Sequence, residues 1–489
     1  MPREIITVQC GQCGNQIGWR FWDLVLREHA AHNKGGVFDE AFSSFFRNVD
    51  TRFSQPADCP LGSPVSSLRA RAVLVDTEEG VVGQLYRGPL AELFDPAQCL
   101  TDVSGAGNNW AHGHEVYGPS HREAFLEKVR RAAQHCDSLQ CFSLLHSLGG
   151  GTGSGLGTYL LSALEDEYPN KYRFATSAFP AADDDVITSP YNAVLAAAEL
   201  VEHADAVFPV DNGALIDLVN RAEKPAPSEQ SRASSQRTPP VTDNSATSTP
   251  CLASARPAAV PRQRAFDSMN NLVAHMLSNL TASNRFDGAL NVDLSDLTSS
   301  LVPFPRLHFL LPALAPLYSL QDLKYRSARL DGLFSDAFAA HSQLTRSDPK
   351  HSTMLATGLL LRGDLMMSDV QRNLARLRPQ LRLPYWNPDG VKVGICATPP
   401  VGLPHAVLAL SNNCCMARVL EVHLERFDRL YRRKAHVHHF SQYVEASALT
   451  RARETLMEVH DQYARYETSQ PSPEAQELLD RLVPTNMPT

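Results

Sequence analysis

The chain has 489 residues, 43% of them apolar and 20% charged. These are the proportions of an ordinary globular protein, with room for two to four domains of roughly 150 residues. The net charge of −8 argues against a chain that coats nucleic acid or an anionic membrane, so neither is expected as a partner. Ten cysteines are too sparse for a disulfide scaffold, and Met1 leads into Arg3 and Glu4 with no cleavage site after an apolar run. Reduced thiols in the cytoplasm are expected.

Taken in order, residues 5–9 predict a strand, followed by GQCGNQIG and an amphipathic helix over 17–29. A second strand over 70–75 ends at Asp76. A third over 142–146 runs into SLGGGTGSG and a helix over 156–167, which Pro169 stops. Two further strands are expected at 174–179 and 206–210. Strand, turn and helix in repetition predict a parallel α/β sheet with helices on both faces.

Residues 223–264 contain no aromatic side chain and seven of the 33 prolines. Such a segment cannot bury enough apolar surface to offset its ordering entropy, and it is expected to be a disordered insertion. A long helix is predicted over 266–280, with a mixed α/β region over 290–411. The most apolar long stretch, 301–320, holds Arg306, His308 and four prolines, which predicts a buried, loop-broken core segment and not a membrane span. The pattern is helical over 422–467, and the tail carries Pro471, Pro473, Pro484 and Pro488. The expected divisions are 1–222, 223–264, 265–417 and 418–489.

The strongest chemical signal is Ser147-Leu-Gly-Gly-Gly-Thr-Gly-Ser-Gly155 between a strand and a helix. Glycines let the backbone curl around an anion while the helix N-terminus adds partial positive charge, which together predict a phosphate cradle. No Lys follows the glycines, so this is not a Walker loop, and the spacing does not fit G-x-G-x-x-G. Three other polar segments follow strands or join the same edge: GQCGNQ at 11–16, Asp76-Thr77-Glu78, and GAGNNW at 105–110. Asp183-Asp184-Asp185 follows the fifth strand. Loops after the carboxyl ends of parallel strands converge on one ligand crevice, where amides and glycine N–H groups hold phosphate oxygens. Asp76 and Glu78 have the chemistry to hold Mg²⁺ directly or through water.

This set of loops resembles the tubulin superfamily: GQCGNQIG, SGAGNNWA, SLGGGTGSG, SPYNAVL, RFDGALNVDL and LVPFPRLHF occur in tubulin-like order. FWDLVLREHAA, FDEAFSSFFRNVDTR and DDDVITSPYN are most similar to the epsilon branch. The resemblance implies a Rossmann-like GTPase domain, a central helix, an α/β intermediate domain and a C-terminal helical layer. It implies GTP or GDP with Mg²⁺ as ligands. Gln12, Cys13 and Gln16 would line the nucleotide, and Asn108, Gly150, Gly151, Thr152 and Gly153 would meet the phosphates with Ser147 beside them. Asp185 would join them from the acidic run, and Glu78, with Asp76 near it, would serve the magnesium. Asn212 and Asn270 would read the guanine edge, and Phe266 would stack on the base where tubulins usually place a Tyr.

Two departures are visible. Ser189 stands where alpha and beta tubulins place a ribose-holding Glu, and a hydroxyl bonds more weakly than a carboxylate. Asp296 stands where alpha tubulin has the Glu that enters a neighbour's pocket and orients the attacking water; Asp has the charge with one methylene less reach. The resemblance therefore implies slow, assembly-dependent GTP hydrolysis with Asp296 acting in trans. It also implies partners among other tubulins and centriolar or basal-body proteins, and a place in the cytoskeleton at the microtubule-organising centre. An ordinary lattice tubulin is disfavoured by the tail, where Glu467, Glu474, Glu477 and Asp480 stand against Arg481 without a dense acidic run. A dinucleotide enzyme lacks its G-x-G-x-x-G. Zinc sets at Cys10, Cys13, Cys136 and Cys141 or at His436, His438 and His439 lack a matching spacing or a carboxylate, and no G-x-S-x-G elbow marks a hydrolase.

Overall fold

The computed structural model describes residues 3–52, 57–181, 184, 186–222, 262–317 and 330–469, with the backbone alone for 262–265. Six strands form the central sheet: β1 (Glu4–Cys10), β2 (Ala72–Asp76), β3 (Cys99–Thr101), β4 (Leu139–Ser147), β5 (Tyr172–Phe179) and β6 (Ala206–Asp211). All are parallel, in the order β3-β2-β1-β4-β5-β6. Each of the seven residues of β1, EIITVQC, is buried, as a parallel strand covered on both faces requires. Strand order reverses between β1 and β4, and the crevice at that point is where doubly wound sheets take ligands.

Helices α1 (Gly11–His32), α2 (Gly118–Gln134), α3 (Gly157–Glu167), α4 (Ser189–His203) and α5 (Asn212–Ala222) connect or follow these strands. α6 (Arg262–Leu280) lies along α1. α1 buries Gly14, Ile17, Gly18, Phe21, Trp22 and Val25, a stripe at helical spacing. Its far end carries Glu28, which accepts from Arg285 Nη1 at 2.7 Å, Arg362 Nη1 at 2.9 Å and the Ser278 hydroxyl. Burial alone would raise this carboxyl, but the two guanidiniums outweigh it and hold the pKa at about 2.

α7 (Leu294–Leu301) precedes a second sheet made of β7 (Leu310–Ala315), β8 (Met354–Arg362), β9 (Val391–Cys396) and β10 (Ala406–Asn413), in the order β7-β10-β8-β9. Val207 N donates to His308 O at 3.0 Å, which joins the approach to β7 to the edge of the central sheet. α8 (Met416–Tyr431) and α9 (Ala446–Thr468) are the last long helices among the described residues. Alternate β-residues divide the core. Ile6, Val8 and Leu144 pack with Tyr191, Leu420, Phe427, Leu449 and Tyr463 on one face, while Ile5, Cys141 and Leu145 pack with Trp22, Met276, Leu310 and Leu408 on the other. The C-terminal helices thus cover one face of the central sheet, and α6 and the second sheet cover its opposite face. Among the described residues no helix is long and apolar enough to cross a membrane.

The five predicted strands are present, with differences that have local causes. The expected strand over 70–75 is two: Ser67–Ala70 pairs in a small antiparallel sheet with Phe46–Asp50, and Ala72–Asp76 enters the central sheet. Arg71 between them buries its guanidinium against Ser43 O at 2.9 Å and His135 O at 2.6 Å. β3 spans three residues, too few for a periodic signal. α1 begins at Gly11, so GQCGNQIG is its first two turns and not a loop before it. The C-terminal helical region breaks at Lys434 and His436, both with left-handed φ (50° and 60°), so His436 only caps a single helical turn, Val437–Phe440, that carries His438 and His439, and the three do not share one helix face. α6 starts at residue 262, and the rest of the expected 223–264 insertion falls outside the described residues, as does the tail beyond residue 469.

Candidate nucleotide-binding site

The site assembles at the carboxyl ends of β1, β2 and β4. Leaving β1, the chain turns sharply at Gly11, whose φ of 72° disfavours a side chain. A Cβ there would lie 3.0 Å from Gly153 N, so the start of α1 rests directly on the glycine loop. Asn15 Nδ2 donates to Gly11 O at 3.0 Å and Val75 O at 3.2 Å, which locks the first turn of α1 to the end of β2. Gln12 is exposed, and Cys13 and Gln16 are half-buried, while Gly14 and Asn15 face inward. Desolvation pushes the Cys13 thiol up to about 12, so in the metal-free protein it is a neutral thiol near pH 7.

The loop after β4 is held from below. His146, fully buried, bonds through Nδ1 to Gly153 O at 2.8 Å and through Nε2 to Ser177 Oγ at 2.7 Å. A carbonyl only accepts, so Nδ1 carries the proton and Nε2 takes the Ser177 hydroxyl. Burial lowers its pKa to about 4 and keeps the ring neutral. Thr152 Oγ1 lies 2.6 Å from Thr77 Oγ1, which couples this loop to the one after β2. Ser154 Oγ donates to Gly150 O and closes the turn.

The glycines of SLGGGTGSG serve two purposes that the motif alone does not separate. A Cβ on Gly151 would stand 2.7 Å from Asn109 N and 2.9 Å from Ala106 O, so this glycine lets two backbones touch. A Cβ on Gly150 would meet only Asn108 Oδ1, at 3.8 Å. Gly150 and Asn108 therefore border open space at the sheet edge, a cradle free of packing atoms. Asn108 itself has a left-handed φ of 52°.

The acidic pair is adjacent. Glu78 N donates to Asp76 Oδ1 at 3.4 Å, and the Glu78 carboxylate lies against Gly105, 2.2 Å from where a Cβ there would stand. Burial raises Asp76 to about 6, with the Glu78 charge adding to it. A cation between phosphates and this pair would relieve both effects. Among the described residues no group of three or more His, Cys, Asp or Glu could hold a metal; were magnesium bound, Asp76 and Glu78 would supply two carboxylates, with phosphate and water filling its other positions. That is the habit of Mg²⁺ in nucleotide sites. The same finding gives no support to either zinc set.

Asn212 begins α5 immediately after β6, where the half-buried Asp211 accepts from Ala214 N at 3.0 Å. Asn270 is buried on α6 and Phe266 is 47% exposed one turn earlier. Asp267 pairs with Arg20 of α1 at 3.0 Å, which brings that turn of α6 beside the helix carrying Gln16. Asp185 lies outside the described residues. Ser189 is buried and donates to the Asp184 carboxylate, so its hydroxyl is already engaged, and it brings a carboxylate close to Gly149. Asp296 sits elsewhere. It closes a capping box with Asp293 at the start of α7 (2.7 and 3.3 Å). Asp293 pairs with Arg3 at 2.7 Å, and Ser295 meets Tyr172, so this turn lies at the amino ends of β1 and β5, opposite the glycine loop.

Sequence reasoning named Thr77 only within the Asp76-Thr77-Glu78 segment and missed the parts played by Asn192 and His146. The only available signal was a polar residue inside an apolar run, as in Tyr191-Asn192-Ala193.

The family described as "Tubulin/FtsZ family, GTPase domain" matches residues 4–220, and "Tubulin C-terminal domain" matches residues 305–424. The tubulin epsilon chain of Homo sapiens is 49% identical over 474 residues, covering 96% of this chain and 97% of that protein. The tubulin epsilon chain of Mus musculus is 48% identical over the same span. With the Rossmann-ordered sheet and the cradle at its switch point, these matches lead to one conclusion: the chain belongs to the tubulin family and carries its guanine-nucleotide-binding GTPase domain.

Proposed function

We propose that the crevice between β1 and β4 binds GTP or GDP with Mg²⁺, and that the chain assembles end to end with tubulins. The observation that carries this reading is the convergence of the loops after β1, β2 and β4 on the open space beside Gly150 and Asn108. Gln12, Cys13, Gln16, Asn108, Ser147, the 150–153 loop and Asp185 would contact the nucleotide, Asp76 and Glu78 the metal, and Asn212, Asn270 and Phe266 the base. Magnesium would neutralise phosphate charge. Asp296 lies at the opposite sheet edge from the cradle, so its carboxylate would reach a nucleotide only in a neighbouring subunit. Asp296→Ala is therefore expected to slow GTP turnover in assemblies and leave nucleotide binding by the free chain unchanged. Equal turnover would remove it from the mechanism.

The finer role rests on likeness to the epsilon chains: a cytoplasmic, cytoskeletal protein of centrioles and basal bodies that forms or stabilises triplet microtubules. The division into 1–222, 223–264, 265–417 and 418–489 belongs to the same reading. Identification of the nucleotide released on denaturing the purified chain, with thermal shifts in GTP, GDP, ATP and NAD, tests the site. Guanine nucleotide in the released fraction and stabilisation by GTP are expected; stabilisation by NAD alone refutes the reading. Fluorescent tagging should place the chain at centrioles, and a diffuse distribution indifferent to them refutes the cellular role.

A further inference from the structure

We infer that Asn192 is a positioning residue that sets the spacing of the two loops forming the phosphate cradle. This rests on the proposed GTP site and adds a role for a residue that would not itself touch the ligand. Asn192 is fully buried in the first turn of α4. Its Oδ1 accepts from Trp110 N at 2.9 Å, and its Nδ2 donates to Asn108 O and to Gly149 O, both at 2.8 Å. One backbone N–H and two carbonyls admit only one orientation of the carboxamide, and both Nδ2 hydrogens are used.

The three partners belong to the two loops that border the open space, Asn108–Trp110 on one side and Gly149 on the other. Thr188 Oγ1 adds a second bond to Asn108 O at 3.0 Å. Asn108 holds a left-handed φ of 52°, a region open to few residues with a side chain but one that Asn adopts, and these bonds fix it there. A single carboxamide thus fixes both the conformation of Asn108 and its separation from the glycine loop. The contacts run from a helix to loops, so their loss should loosen the cradle before it loosens the core.

Asn192→Asp keeps the acceptor for Trp110 and turns the two donations into an oxygen facing two carbonyls. The test measures GTP and guanosine affinities for the full-length wild type and variant, by competition against a fluorescent GDP analogue, beside unfolding without nucleotide. GTP affinity is expected to fall about tenfold or more, while guanosine, which lacks phosphates, loses less than about threefold. Thr188→Val, which removes one outer bond, should lower the same ratio by about threefold, and Thr188→Ser should restore it. A wild-type ratio in folded Asn192→Asp, or equal losses for the two ligands, overturns the inference. If Asn192→Asp does not fold, a wild-type ratio in Thr188→Val overturns it. A wild type that binds no GTP refutes the proposed function instead.

Discussion

Alanine substitutions at Gly150 and Gly151 separate packing from binding at adjacent positions. Gly151 has φ of −90° and Gly150 is not among the glycines with positive φ, so backbone strain does not enter. At Gly151 the new methyl would stand 2.7 Å from Asn109 N and 2.9 Å from Ala106 O and Ala106 Cβ, where ordinary contact begins at 3.4 Å. None of these atoms can escape by a rotamer change. The 105–110 loop must therefore retreat by roughly 0.7 Å, and overpacking of this kind costs about 1–3 kcal/mol. The same shift opens the cradle, so Gly151→Ala is expected to lose both stability and GTP affinity, the latter by about tenfold or more. At Gly150 the nearest atom would be 3.8 Å away. Stability should stay within about 0.5 kcal/mol of wild type, and GTP affinity should still fall because the methyl occupies cradle space. Urea unfolding without nucleotide and GTP titration of both variants read the two quantities. If Gly150→Ala destabilises the free protein as much as Gly151→Ala, or binds GTP like wild type, the division of roles is wrong.

Two further outcomes follow from buried charge. Glu28→Gln preserves shape but leaves Arg285 and Arg362 without a counter-charge, which should cost about 3–5 kcal/mol in urea unfolding at pH 7. Because the folded pKa of about 2 lies below the ordinary 4.5, the wild-type advantage is full above about pH 5 and shrinks as pH falls toward 2; a gap unchanged over that range would refute the assignment. Asp76 has the opposite sign. Its folded pKa of about 6 exceeds the ordinary 3.8, so the ionised carboxylate weakens the metal-free fold above pH 6 and the penalty fades as pH falls toward 4. Asp76→Asn should accordingly stabilise the metal-free fold in urea unfolding by up to about 3 kcal/mol at pH 7.5, and by less at pH 4.5. It should also blunt the gain in GTP affinity on adding Mg²⁺, and an unchanged Mg²⁺ dependence would remove Asp76 from that role.

Much of this was legible before any coordinates. The apolar runs over 5–9, 142–146, 174–179 and 206–210 are strands because parallel strands bury both faces and leave a continuous signal. The glycine-rich turns marked their carboxyl ends. What escaped was short or shaped by distant partners. β3 has three residues, Arg71 splits one apolar run between two sheets through bonds to Ser43 and His135, and two left-handed residues interrupt the last helices.

The site divides in the same way. Residue chemistry and local spacing determined by themselves that a glycine loop, an acidic pair and carboxamides follow buried strands, since each depends on neighbours within a few residues. Only the tertiary structure decided which glycine separates two backbones and which borders open space. Nor could spacing reveal that the Ser189 hydroxyl is engaged by Asp184, or that Asn192 spans loops 84 and 43 residues away. Those facts depend on the approach of segments brought together by sheet order and core packing, and no local pattern records such a distance.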